Sequence, residues 1–385
     1  MSLSDRLIKL FGRFLGTSSV FSVSPEKQKR YLDSQPEPHD NIERSFLQYK
    51  CQMFIVGASH YLLNLAAGIY YPFKYFTIHH KFPEKKEKTP AVFCTFDLFE
   101  NILPDELFSE FGKIVKFDYS LNYSLNKNDR AFLREIAKRY PCRWHFRLKC
   151  LLKIAMYRYV LDSFQPKAII SSSEYSFVSS VMTEYLHRNG IEHINVMHGE
   201  KLFFIRDSFF SFDRYYIWND SYKKLFESLR ADVSCLKTAI PPVLRLPKTE
   251  EEPIYDFTFY LQNESAGEVE KLVSVCKLLS EKGYNISIRP HPTYTKISKE
   301  QLASSKIAVE KNSEISIEKS LRQTKCAVSL YSTVLLQAYS NGIAFVIDDI
   351  TRPALYEQLK GLSYIGFSLE HRLLSDIMKT IEKTE

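Results

Sequence analysis

Arg289-Pro290-His291-Pro292 is the run whose residue types most plainly suit chemistry. It ends an alternating apolar stretch, with Ile286 and Ile288, that reads as a strand. Proline supplies no backbone N–H and holds the residue before it extended. Arg289 and His291 therefore stand on a stiff, non-helical ledge just past a strand, where two basic side chains suit an anion. A second such place follows in "SLYSTVLLQA". Ser332 is a good N-cap and Thr333 lies in the first helical turn. A helix start offers free backbone N–H groups and a partial positive charge, so phosphate binds there readily. Ser332 would cap its helix whatever the function. The two places together carry the functional reading: Arg289 or His291, on the neighbouring strand end, would approach the same phosphate as Ser332 and Thr333, making a diphosphate or monophosphate cradle.

A third place is "INVMHGE", where a strand ends in His198-Gly199-Glu200. Glycine lets the chain turn and a ligand approach. An imidazole suits a general base at neutral pH, with Glu200 orienting it or acting itself. Glu174, in "SSSEYS" after the preceding strand, is another candidate carboxylate. Asp348-Asp349 is a weak metal signal, and Cys142-x2-His145-x4-Cys150 lacks zinc-pair spacing, so no metal is expected. No GxGxxG, Walker loop or GxSxG elbow occurs, which argues against dinucleotide enzymes, P-loop proteins and hydrolases of the elbow type.

The elements that must position these residues alternate between strand and helix, the pattern of parallel α/β sheets. In the first half, strands are expected at 91–96, 113–117, 167–170, 193–197 and 214–218, the last closing that unit. A long helical stretch is expected over 127–164, and another helix ends at Gly190. "PPVLRLPKTEEEP" (241–253) reads as a hinge. The second half restarts with strands at 255–261, 285–289, 306–310, 326–330 and 344–348, and helices at 266–283, 315–324 and 332–342. Ligands of open α/β sheets bind outside the carboxyl ends of the strands, where all three candidate places fall. Residues 1–89 form a helical extension ending in the charged linker "KFPEKKEKTP" (81–90). The domains expected after it are 90–245 and 254–350. Residues 351–385 are expected to pack back across the hinge.

The chain has 385 residues, 45% of them hydrophobic and 25% charged, which is the composition of a globular protein of about two domains. Its net charge of +7 favours an anionic partner. No nucleic-acid-binding signature is present, so a nucleotide or an anionic membrane is the better fit. Seven scattered cysteines suggest reduced thiols and a cytoplasmic protein. "MSLSDRLIKLFGRFLG" has the spacing of a basic amphipathic helix, which suits either an anionic membrane face or the chain's own core. Residues 53–72 approach the length of a spanning helix, but His60 and Asn64 near its middle point to a buried or half-inserted one.

A strand-end His-Gly, then Arg-Pro-His-Pro, then a strand with a hydroxyl pair and "QAYSNGIAFVIDD" resemble the GT-B glycosyltransferases of bacterial surface polysaccharide synthesis. The nearest resemblance is to the cytidine-dependent groups: sialyltransferases and Kdo transferases with a His-Pro motif, and CDP-glycerol glycerophosphotransferases. It covers roughly residues 165–350. The resemblance implies two Rossmann-like domains facing a cleft, a metal-independent transfer and no cofactor, the nucleotide-activated sugar being a substrate. It places His291 on donor phosphate beside Ser332 and Thr333, and makes His198 the candidate base. The acceptor would be a glycan or lipid-linked glycan. Residues 1–80 would make peripheral contact with the inner membrane face. The sequence departs from the family in lacking the sialyltransferase acidic pair before glycine, which leaves Glu174 or Glu200 to substitute. It also has Glu-Lys after His198-Gly199, where the glycerophosphotransferases have Thr-Pro. Glycerol-phosphate transfer, sugar epimerisation and a non-catalytic assembly role are the alternatives.

Overall fold

Every residue of Ala91–Thr95 is buried, as befits a strand covered on both faces. In the computed structural model, which describes residues 20–80, 88–95, 100–118, 122–247, 252–292 and 307–382, this strand lies inside the first of two parallel sheets. The amphipathic start at 1–16 lies outside the described residues, as do parts of both linkers.

The chain divides into two units by its contacts. The first runs to His198 and resumes over Phe203–Pro241; the second takes Gly199–Leu202 and everything from Pro242 onward. The first unit begins with α1 (Pro25–Asp33), α2 (Asn41–Val56) and α3 (Ser59–Thr77). It continues with β1 (Ala91–Thr95), α4 (Asp105–Phe111), β2 (Ile114–Asp118), α5 (Lys127–Arg139), α6 (Trp144–Phe164) and β3 (Ala168–Ser171). It ends with α7 (Ser179–His187), β4 (Glu192–Val196), β5 (Arg214–Ile217), α8 (Ser221–Ser228) and β6 (Leu236–Thr238). Its sheet order is β2-β1-β3-β4-β5-β6, all parallel.

The second unit contains β7 (Phe257–Tyr260), α9 (Ala266–Glu281), β8 (Ile286–Arg289), β9 (Ala308–Val309), α10 (Ile317–Arg322) and β10 (Cys326–Ser329). After these come α11 (Thr333–Ser340), β11 (Ala344–Ile347), α12 (Pro353–Gly361), β12 (Arg372–Leu373) and α13 (Leu374–Glu382). Its sheet order is β12-β11-β10-β7-β8-β9, again parallel, which is the doubly wound Rossmann order read from the far edge. Two parallel six-stranded sheets flanked by helices are the α/β fold class that the sequence implies.

Several local expectations differ. β6 extends the first sheet beyond 214–218; Leu236-Lys237-Thr238 is short and half polar, as an edge strand can be. The N-terminal helices are part of the first unit, because Ile42, Tyr49, Met53, Tyr71 and Ile78 belong to its core. The apolar stretch 53–72 is two helices, not one. Gly57 takes φ 71°, and its N–H caps α2 on the Met53 carbonyl at 3.0 Å. The C-terminal segment completes the second unit: β12 joins β11, while Leu374, Ile377, Met378 and Ile381 of α13 fill its core.

One carboxylate organises the helical side of the first unit. Asp129, buried in the first turn of α5, closes a capping box with Asn126. It also accepts from Arg158 of α6 at 3.0 Å and from the Tyr185 hydroxyl of α7 at 2.9 Å. Three helices thus share one charge whose lone pairs are filled, the condition under which a buried ion pair is tolerated.

Candidate active site

The polar cluster at the carboxyl edge of the first sheet starts from register. β3 and β4 are neighbours, with Ser171 opposite Asn195. Their ends therefore release Ser172-Ser173-Glu174 and Met197-His198 side by side. Strand order reverses between β1 and β3, so the cluster, at the ends of β3 and β4, stands beside the topological switch point.

Glu174 has a fully buried side chain, whereas 27% of the His198 side chain is exposed. One Glu174 oxygen accepts from Asn195 Nδ2 at 2.9 Å, and the other lies 3.7 Å from His198 Nδ1. Ser172 Oγ is hydrogen-bonded to the same Nδ1. Asn195 Oδ1 accepts from the Ser173 N–H at 2.8 Å, which fixes the turn after β3. From α2, Gln48 donates to the carbonyls of Glu174 at 2.7 Å and Arg206 at 2.8 Å. The Tyr175 ring meets His198 edge-on at 5.9 Å and carries the Arg206 guanidinium 5.3 Å over its face. Burial, and then the Glu174 charge, push the Tyr175 hydroxyl above the usual phenol range.

Chemically, a carboxylate withdrawn from water is stable only with polar or cationic company. Asn195 and the imidazole of His198 both supply it here. Groups behind Nδ1 favour the tautomer with hydrogen there, leaving Nε2 as the proton acceptor. The carboxylate then stabilises the imidazolium formed when a proton is taken, the division of labour seen in His–carboxylate pairs generally.

In the second unit, Ser332 caps α11, its Oγ accepting from the Val334 N–H at 3.3 Å, and Thr333 is exposed in the first turn. Ser329 Oγ ties the end of β10 to the Tyr260 carbonyl of β7 at 2.7 Å. Arg289 points to a structural role: its guanidinium pairs with Glu310 at 2.8 Å and donates to the Ile315 carbonyl at 2.9 Å, and 9% of the side chain is exposed. His291 is half-exposed on the ledge, which Asn312 braces through the Pro290 carbonyl at 2.9 Å. β8 and β10 are not neighbours, contrary to the expectation that one phosphate meets both ends. β7 runs between them, because a doubly wound sheet grows outward from its first strand in both directions. Two strand spacings separate their ends, about 10 Å.

Glu200 is grouped with the second unit, where its charge adds to burial in pushing the Tyr331 hydroxyl up to about 12. Glu174 is the carboxylate 3.7 Å from His198 Nδ1. Asp348 and Asp349 serve turns: Asp348 accepts from the Ile350 and Thr351 N–H groups, and Asp349 from the Ser375 N–H at 2.9 Å. Among the described residues no group of three His, Cys, Asp or Glu is placed to hold a metal ion. Sequence reasoning missed Ser172, Asn195 and Gln48. The first two sit in the motifs "SSSEYS" and "INVMHGE" and were readable there; Gln48, on a distant helix, gave no signal.

No family model matches the chain, and no curated protein matches it. Similar solved structures include the wall teichoic acid polymerase TagF (12% identity, 90% of each chain covered, TM-score 0.42). A UDP-N-acetylglucosamine 2-epimerase from Rickettsia bellii is also similar (12% identity, 67% of this chain and 78% of that one, TM-score 0.40). So is the lipopolysaccharide outer core galactosyltransferase WaaB (10% identity, 77% and 95%, TM-score 0.37).

Proposed function

We propose that the chain is a glycosyltransferase that moves a sugar from a nucleotide-activated donor, cytidine-activated by preference, to a glycan or lipid-linked glycan of capsule or lipopolysaccharide. The observation that carries this reading is the partly exposed His198 imidazole with the fully buried Glu174 carboxylate 3.7 Å behind it, at the carboxyl end of a parallel sheet. In the reaction, Nε2 of His198 takes the proton of the acceptor hydroxyl as its oxygen bonds to the anomeric carbon. The bond from that carbon to the donor's phosphate oxygen breaks, and the electron pair leaves with the nucleotide. Within the second unit, the start of α11, with the Ser332 and Thr333 hydroxyls and the first-turn N–H groups, suits a nucleotide's phosphate, and His291 suits the other end of such a donor. Fixed donors of this kind help most where charge develops, in the transition state, and they do so without a metal. Lipid-linked acceptors place the chain at the inner face of a membrane.

The test is a thermal-shift screen of CMP, CDP, UDP and GDP, followed by transfer assays with the matching labelled sugars and with CDP-glycerol. A nucleotide that binds only the folded chain raises its unfolding temperature, and one base should stand apart. If none does, the donor reading fails. If CDP-glycerol alone turns over, the chain transfers glycerol phosphate and not a sugar.

A further inference from the structure

Helix α3 is apolar on two faces. Leu63, Ala67 and Tyr71 are buried, and Gly68 lets the Trp144 ring of α6 come close, a Cβ there lying 3.1 Å from it. Asn64 fastens the helix by donating to the Cys142 carbonyl and accepting from the His145 N–H, both at 3.1 Å. The other face carries Leu62, Leu65, Ile69, Phe73 and Phe76, spaced along one side and between 59% and 76% exposed, with Tyr61 beside them. From Leu62 to Phe76 the strip is about 21 Å long. A helix apolar all round is normally buried, and exposed apolar patches of this kind mark interaction sites. Among the described residues, no helix is long and apolar enough to cross a membrane.

Charge identifies the occupant. Residues 44–83, which contain α3, include no Asp or Glu, and neither do residues 140–161, which contain most of α6. The same stretches hold Lys50, Lys74, Arg143, Arg147 and Lys149. Arg147 lies over the Trp144 and Tyr71 rings at 4.1 and 4.6 Å, and Arg130 of α5 donates to the Tyr75 and Ile78 carbonyls at the end of α3. Asp162, near the C-terminal end of α6, is paired with Arg158 and His80. An apolar strip rich in aromatic and aliphatic side chains, on a helix that carries Lys74 and no acid and packs on an α6 whose residues 144–161 carry cations and no acid, fits the interface of an anionic bilayer, with the helix lying in its plane. We infer that the exposed face of α3 is a docking surface for anionic phospholipid membranes. This deepens the membrane placement proposed above, on which it rests, by naming the surface; it does not depend on His198 or on the donor.

The experiment uses the full chain and sedimentation with vesicles of pure phosphatidylcholine or of phosphatidylcholine mixed with phosphatidylglycerol. The expected result is binding to the mixed vesicles that weakens with salt. Leu65→Glu with Ile69→Glu should reduce it by about a hundredfold or more, since two aliphatic anchors are lost. Arg143→Gln with Lys149→Gln should reduce it by about tenfold or more. Both variants change exposed side chains and should keep the parent's unfolding temperature and nucleotide response, so failure here is separable from failure of the donor reading. Absence of binding by the folded parent overturns the inference, as does binding that survives Leu65→Glu with Ile69→Glu. Two other outcomes also overturn it. A dimer that those substitutions dissolve, without vesicle binding, would make a second copy the occupant. Vesicle binding seen only after residues 2–19 are removed would assign the face to that segment.

Discussion

At the end of β4, a buried carboxylate stands behind a histidine that reaches solvent; at the end of β8, a buried carboxylate stands beside an arginine that hardly does. Both are acid–base pairs at a strand end, yet they do different work. The Arg289–Glu310 pair closes on itself, with the Ile315 carbonyl taking a further N–H. The Glu174–His198 pair instead keeps its imidazole open to solvent, with 27% of that side chain exposed. What separates a structural pair from a chemical one here is whether the basic partner reaches solvent, and the residue types alone do not tell them apart.

The largest expected effect sharpens that contrast. His198→Ala should reduce transfer by roughly 10²–10⁴-fold, the usual worth of a general base, while leaving the unfolding temperature close to the parent's. A loss of stability with unchanged turnover would make His198 structural after all. Next, Arg289→Ala should destabilise the second unit by about 3–5 kcal/mol, because Glu310 is left as an unpaired buried charge. Pairing Arg289→Met with Glu310→Leu should recover most of the stability, read from urea unfolding midpoints. Retained stability in Arg289→Ala, with weakened nucleotide binding, would return Arg289 to the donor site.

A third contrast is set by pH. Burial holds His145 and His193, both in the first unit, down at about 3 from an ordinary 6.5. In the unfolded chain they protonate near 6.5, and in the folded one only near 3. The stability they contribute is therefore complete above 6.5 and falls as pH drops toward 3, by about 1.4 kcal/mol per pH unit for each imidazole. Both tryptophans, Trp144 and Trp218, lie in the first unit, so their fluorescence reads this unfolding directly. In the second unit, burial raises Asp348. That contribution has the opposite sign: it is full below 3.8 and lost as pH rises through the folded value. Acid should loosen the first unit before the second, and hydrogen exchange in β10 would show the order. The smallest effect is Ser332→Ala, about 1 kcal/mol from the lost cap. A larger fall in nucleotide affinity than in stability would mark Ser332 as a ligand as well as a cap.

The strands were the most legible part of the sequence. Runs such as "AVFCT" and "CAVS" are apolar on both faces and bounded by turn residues, which is how a strand inside a parallel sheet reads. β6 and α8 were not legible, since a three-residue edge strand and a two-turn helix carry too little periodicity. The single helix expected over 53–72 was split by one glycine, which hydrophobicity alone passes over. In the candidate site, strand-end logic found His198 and Glu174 because sequence-adjacent strands end together. It misjudged how β8 and β10 relate, since strand order is a three-dimensional property with no local trace. Arg289 read as an anion ligand because its partner Glu310 lies 21 residues on, just past β9, and nothing local in the sequence pairs the two.

Asp129 belongs at once to a helix start, to a cation of a second helix and to a phenol of a third. Local opening of any one of them strands a charge that the other two must then solvate. Amides in α5, α6 and α7 should therefore exchange with deuterium as one cooperative block. Replacing Asp129 with Asn should split that block into separately opening pieces, even where the mean stability changes little.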